Sequence, residues 1–283
     1  MLDTLQWATL LLFLVTSMAG IGLQVRMQDL HAMIQRKGLL LCSLLVNFIA
    51  VPAIGWLVTR LFAMTPTSSD ALLILACAPG GITAIQFTSK SKEALAFAGQ
   101  TAFLLTGLSI LLSPFLMSIF LPADLALVVP YEKAFWYFFI FLLLPLALGL
   151  LIRERAGSLG ERLGKPMAFV GTVAFLAFMV LTLSIRQVVM ANVDSADVEA
   201  MLGFVFASMV AGWLGGGPQR ETRQVLASAS SMRNVGLCLA IVTRSLPDSG
   251  IEIPLVAFCA LMIPPNLVLT ILMLVLNRFR SKT

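Results

Sequence analysis

Apolar residues fall into nine runs of bilayer-spanning length, approximately 5–25, 38–63, 70–89, 94–121, 134–152, 167–190, 200–217, 222–245 and 251–277. A helix needs about 20 mostly apolar residues to cross the hydrocarbon core. The polar connections between the runs are short, so the pattern predicts an all-α integral membrane protein with nine transmembrane helices in a single transmembrane domain, 1–283. The first run lacks a basic leader and a small-residue cleavage site, so it reads as a retained span.

Two runs are interrupted. The third contains Ala76–Thr88, ACAPGGITAIQFT, where Pro79 removes a helix donor and Gly80-Gly81 lower the cost of unwinding. The eighth contains Leu226–Val242, LASASSMRNVGLCLAIV, with Arg233 at its middle and no carboxylate in the segment. An arginine at a helix centre costs roughly 2.5–3.5 kcal/mol on insertion scales, which makes an intramembrane arginine a functional-site candidate. Ser228, Ser230, Ser231, Asn234 and Gly236 surround it, and loosened backbone in such a stretch frees carbonyls that solvate a cation. The competing readings are an arginine that snorkels to an interface and a structural hydrogen-bond hub.

Charge sets the orientation. Arg26, Arg36, Lys37, Lys90, Lys92, Arg153, Arg155, Arg162, Lys165, Arg220, Arg223, Arg278, Arg280 and Lys282 lie in one set of connections, and only Arg60, Lys133, Arg186 and Arg244 in the other. Positive charge stays inside, so the N-terminus is expected outside and the C-terminus in the cytoplasm, in a bacterial inner (plasma) membrane. The third run then descends from outside and the eighth ascends from inside. Interrupted segments in corresponding, oppositely directed positions predict an inverted repeat with a midplane site between them.

Composition narrows the chemistry. The 283 residues are 59% hydrophobic and 12% charged, with a mean hydropathy of +0.97. The net charge of +5 is absorbed by the positive-inside pattern, so no nucleic-acid partner is implied; membrane lipids are the surrounding partner. All fourteen carboxylates lie in connections or at span ends, and His31 is the only histidine, in a polar connection. No titrating acid is available at depth for proton coupling, and no nucleophile–base pair or metal-ligand set supports an enzyme or a cofactor. The cysteines Cys42, Cys77, Cys238 and Cys259 read as small buried hydrophobes, and Gly215-Gly216-Gly217-Pro218 as the end of the seventh span.

Cys77-Ala78-Pro79-Gly80-Gly81 resembles the C/APGG motif in the first crossing helix of the bile acid:sodium symporter family, and Met232-Arg233-Asn234-Val235-Gly236-Leu237 resembles its second crossing motif, usually E-x-G-x-Q-N-x-x-L. Ser113-Pro114, Asn47 ahead of Pro52, and Asn266 also fall where the family has comparable residues. Members commonly have ten spans, and this chain resembles spans two to ten. The resemblance implies a panel (spans near 5–25, 134–152 and 167–190) beside a core (38–121 and 200–277), with two unwound helices crossing in the core. An organic anion would bind in the crevice by alternating access.

The departures bear on coupling. The family's sodium-binding glutamate falls at Ala229 and its glutamine at Arg233; Ala84-Ile85 replace a Ser-Asn pair, a serine ligand falls at about Ala102, and Thr106 survives. A guanidinium about 4 Å from a sodium ion costs ~4 kcal/mol at an effective dielectric of ~20. Sodium coupling is therefore not expected, and Arg233 is expected to replace the bound cations. The candidate substrate and ion site comprises Asn47, Gly80, Gly81, Thr83, Gln86, Thr106, Ser230, Ser231, Arg233, Asn234 and Asn266. The leading function is sodium-independent transport of a small, carboxylate-like organic anion. A sodium-coupled symporter and a non-transporting sensor or scaffold of the same fold are the alternatives.

Overall fold

The computed structural model describes residues 2–28, 36–80, 92–122, 136, 139–185, 194–246 and 249–280. Regular secondary structure among these residues is all helical. In chain order the helices are α1 (Leu2–Gln24), α2 (Lys37–Leu61, with a π-helical turn at Val46–Ala50), α3 (Pro66–Ala76), α4 (Lys92–Phe120), α5 (Leu144–Arg155, preceded by a π-helical turn at Phe139–Leu143), α6 (Gly157–Ile185), α7 (Ser195–Gly215), α8 (Arg220–Ser231), α9 (Val235–Ser245), α10 (Glu252–Leu261) and α11 (Ile263–Arg280).

Five spans are long and apolar enough to cross a membrane: α1, α2, α7, α8 with α9, and α10 with α11; α4 makes a sixth when its bent halves count as one. This is an integral membrane protein. The third run is helical only to Ala76, with 81–89 outside the described residues, and α5 and α6 do not meet the same measure over what is described. Boundaries move outward where polar residues continue a helix that hydropathy discounts: α6 starts at Gly157 rather than 167, α7 at Ser195 rather than 200.

Prolines shape the long helices. Pro114 has no N–H for the carbonyl of Ile110, and α4 bends by 62° between Phe97–Ser109 and Leu111–Phe120. Pro265 cannot donate to Leu261, where α10 stops. Pro52 and Pro145 each follow a π-helical turn, a one-residue widening that re-houses the carbonyls a proline leaves behind.

Small residues set the close contacts. A Cβ on Gly22 would lie 2.2 Å from the Leu146 carbonyl oxygen, and one on Gly149 would lie 2.4 Å from that of Ala19, so α1 and α5 touch backbone to backbone. Gly171 brings α6 equally close to Ser17 of α1. The α7–α8 turn is closed by Gly217 at φ +74°, by Thr222 Oγ1 donating to the Gly216 carbonyl at 2.6 Å, and by Arg223 Nε donating to that of Gly217 at 2.6 Å.

Burial separates the middle of the bundle from its rim. The apolar window of Arg220–Thr243 is wholly buried, against 28% for Glu252–Leu276. Leu214, Phe169 and Val268 point outward, as lipid-facing residues do. Cys77, Cys238 and Cys259 are buried as expected, but Cys42 is exposed on α2 next to exposed Leu41 and Leu45, because it lies on that helix's outer face.

Candidate functional site

Two helix ends meet inside the bundle. Pro79 carries no N–H, so the carbonyl of Leu75 loses its i+4 donor and keeps only a tight-turn bond from Ala78 N at 3.0 Å; Gly80 turns away at φ +103°, so that of Ala76 loses its donor. Both oxygens are taken by one side chain: Arg233 Nε donates to Leu75 O at 3.0 Å and Nη2 to Ala76 O at 2.6 Å. From the other helix end, α8 stops at Ser231, and Arg233 Nη1 reaches back to the Ser230 carbonyl at 3.5 Å. The same nitrogen donates to Asn47 Oδ1, 3.2 Å away in the π-helical turn of α2.

The guanidinium is therefore clamped by carbonyl oxygens at the C-terminal ends of α3 and α8, where helix dipoles are negative. It is 1% exposed and forms no ion pair among the described residues. It does not snorkel.

The breaks also touch through backbone. Asn234 N donates to Ala78 O at 3.0 Å, and Thr106 Oγ1 of α4 donates to Gly80 O at 3.0 Å. A Cβ on Gly80 would come within 2.6–2.9 Å of Thr106 atoms, so only glycine fits this approach. Asn234 caps α9, accepting from Leu237 N at 3.1 Å, while its Nδ2 is buried with no acceptor among the described residues.

The expected site residues divide into two groups. Asn47, Ser230 and Arg233 form one hydrogen-bonded network, in which Asn47 Nδ2 donates to Ser230 Oγ at 3.1 Å and to Ser43 O at 3.0 Å, while Thr106 with Gly80 and Asn234 with Ala78 tie the first break to α4 and to the second break. Ser231 and Asn266 form a separate pair, with Asn266 Nδ2 donating to Ser231 Oγ at 3.0 Å and to Met262 O at 2.9 Å, at the kink between α10 and α11. Gly81, Thr83 and Gln86 lie outside the described residues.

A second buried group escaped the sequence reading. Asp197, at the start of α7, is 1% exposed and accepts from Thr65 N at 2.9 Å, Thr65 Oγ1 at 2.8 Å and Ser68 Oγ at 2.8 Å. It anchors the first turn of α3, which ends at Arg233. Its partners are 129 to 132 residues away, and no local pattern links them.

The described residues thus form a helical membrane bundle in which two broken spans meet on one buried cation. The sequence model of the Sodium Bile acid symporter family matches residues 9–196, and the chain belongs to that family, whose members are transporters. The match ends at residue 196, in the first turn of α7, so Asp197, Arg233, Asn234 and Asn266 lie beyond it. No curated protein matches the chain.

Proposed function

We propose that the chain is a secondary transporter of a small organic anion that works by alternating access without sodium, with Arg233 in place of bound cations. The observation that carries the reading is the guanidinium on Leu75 O and Ala76 O with no carboxylate partner among the described residues. A coupling cation would do two things at such a crossing: neutralise helix-end carbonyls and tie the two halves together. Arg233 does both with a tethered charge. Sodium needs several oxygen ligands, and here the helix-end oxygens are occupied by N–H donors.

Because the donors are spent on carbonyls, the guanidinium acts on substrate through its field rather than by direct contact. The group we assign to meet the anion is the Asn234 amide, whose Nδ2 has a proton pair and no acceptor among the described residues. We read α1, α5 and α6 as the panel, the remaining helices as the core, and α3 with α8–α9 as crossing members of an inverted repeat. Gly236 supports this division: a Cβ there would lie 2.6 Å from Phe13 of α1, so the panel helix rests directly on the broken span.

Family membership favours a second reading, sodium-coupled symport. Thermal stability of the purified protein and carboxylate flux into proteoliposomes, in sodium against choline chloride, separate the two. Neither quantity is expected to change with sodium. A saturable sodium dependence of either one returns the protein to the symporter reading. Ala229→Glu with Arg233→Gln restores the family's acidic and amide pair and is expected to begin to recover a sodium response.

A further inference from the structure

At the end of the bundle that the charge pattern assigns to the outside, α2, α3 and the end of α4 enclose a second kind of pocket, about 400 Å³ in volume. Its polar side is built from Arg60, Thr59 and Ser69, and its apolar side from Leu73, Phe120 and Leu121. The Arg60 guanidinium lies 5.5 Å from the ring centroid of Trp56, and its N–H groups make no hydrogen bond among the described residues. Arg60 is exposed and forms no ion pair among the described residues. Thr59 Oγ1 is spent on the Trp56 carbonyl at 2.8 Å, whereas the Ser69 hydroxyl makes no hydrogen bond among the described residues. The site thus offers one planar cation and one hydroxyl donor, without an acidic group among its lining residues.

The surface beside it is apolar and faces lipid. Ile49, Trp56 and Leu57 on α2, and Phe115 and Ile119 on α4, are 45–63% exposed. An occupant with an anionic head and a hydrocarbon tail satisfies both parts, and the tail's direction selects a lipid over a soluble anion. The other large groove makes the contrast. It is also about 400 Å³, runs between α4 and α5, and is lined by Phe103, Leu108, Leu146 and Leu150 with Glu154 at one end. Its only charged lining group is negative, so it does not recognise an anionic head.

We propose that the pocket at Arg60 is a binding site for an anionic phospholipid of the outer leaflet, its phosphate bidentate on the guanidinium and hydrogen-bonded to Ser69, its acyl chain lying on Trp56 and Ile119. This does not depend on the transported substrate or on sodium.

The test uses the delipidated full chain in neutral detergent, titrated with long-chain phosphatidylglycerol, with phosphatidylcholine and with inorganic phosphate. Phosphatidylglycerol is expected to raise the melting temperature saturably and at least fivefold more potently than phosphatidylcholine, while inorganic phosphate has no effect. Arg60→Gln is expected to weaken the phosphatidylglycerol response at least fivefold and to remove one co-purifying anionic lipid in native mass spectrometry. Ser69→Ala is expected to weaken it less, and Arg36→Gln, at the other end of the bundle, not at all. An Arg60→Gln protein with the parent's response and lipid count overturns the proposal. So does a response to inorganic phosphate equal to that of the lipid, which makes the pocket a site for a soluble anion.

Discussion

Two buried arginines carry the same charge and are handled in opposite ways. Arg153, at the end of α5, donates Nη2 to Glu161 Oε1 at 2.7 Å and Nη1 to the Gly157 carbonyl at 2.7 Å; Arg26 shares the same carboxylate oxygen at 3.0 Å. Glu161 is 60% exposed, so that corner is an ion pair closed on one side by protein and open to water on the other. Arg233 is 1% exposed and meets only carbonyl and amide oxygens among the described residues. The first arrangement cancels charge and fastens two helices. The second leaves a net positive charge between broken helix ends, and a residual field at depth is something a binding site can use. A buried arginine is thus not a function in itself; its counter-charge decides.

The sharpest way to break the contrast is to remove the guanidinium at depth. Arg233→Met takes the guanidinium donors from the buried Ala76 carbonyl and Asn47 Oδ1, each loss costing about 1–3 kcal/mol, and is expected to give the largest loss of thermal stability of any substitution here. Arg233→Gln is expected to lose less, and Arg233→Lys to recover only part of the difference, since it keeps the charge but not the planar fork. Melting curves and substrate titrations decide. A glutamine variant as stable and as tightly binding as the parent makes Arg233 neither a surrogate cation nor a contributor to substrate affinity.

Next comes the acceptor side. Gly80→Ala puts a Cβ 2.6–2.9 Å from Thr106 atoms at φ +103°, and is expected to cost about 2 kcal/mol through strain and displacement of the break. If the Ala76 carbonyl shifts with it, anion affinity falls too, which a merely strained loop would not produce.

The ion-paired corner should be milder. Arg153→Met is expected to lower the melting temperature far less than Arg233→Met does, as loss of a solvent-screened pair does, with substrate affinity unchanged. Measuring both arginine variants for stability and for binding separates the charge that fastens from the charge that serves.

The smallest effect is a pH limb. Hydrogen bonding and charge from Arg153, and then Arg26, hold the Glu161 carboxyl below its ordinary value of 4.5. A carboxylate whose folded pKa is depressed stabilises the fold above its unfolded pKa and loses that contribution as pH falls through the folded value. The stability gap between the parent and Glu161→Gln is therefore expected to be constant near neutral pH and to shrink below about pH 4.5. Arg233 has no carboxylate partner and adds no such limb; a gap that does not shrink shows that the Glu161 pair contributes nothing measurable.

Much of this was written along the chain. Apolar runs and their charged punctuation determine a helical membrane protein, because in hydrocarbon the backbone must satisfy itself locally and hydropathy reports directly on the solvent. Pro79 with Gly80, and Arg233 without a nearby acid, mark the breaks for an equally local reason: a missing N–H and an unneutralised charge are properties of one position. Tertiary structure alone decided which helices meet. It placed Asn47 on Arg233 from 186 residues away, but paired Asn266 with Ser231 instead. It buried Asp197, which looks like a connection residue, under Thr65 and Ser68. Hydrogen bonds of that range depend on where whole helices pack, and packing is set by the summed shape of many small contacts such as Gly22 on Leu146, none of which leaves a periodic trace in sequence.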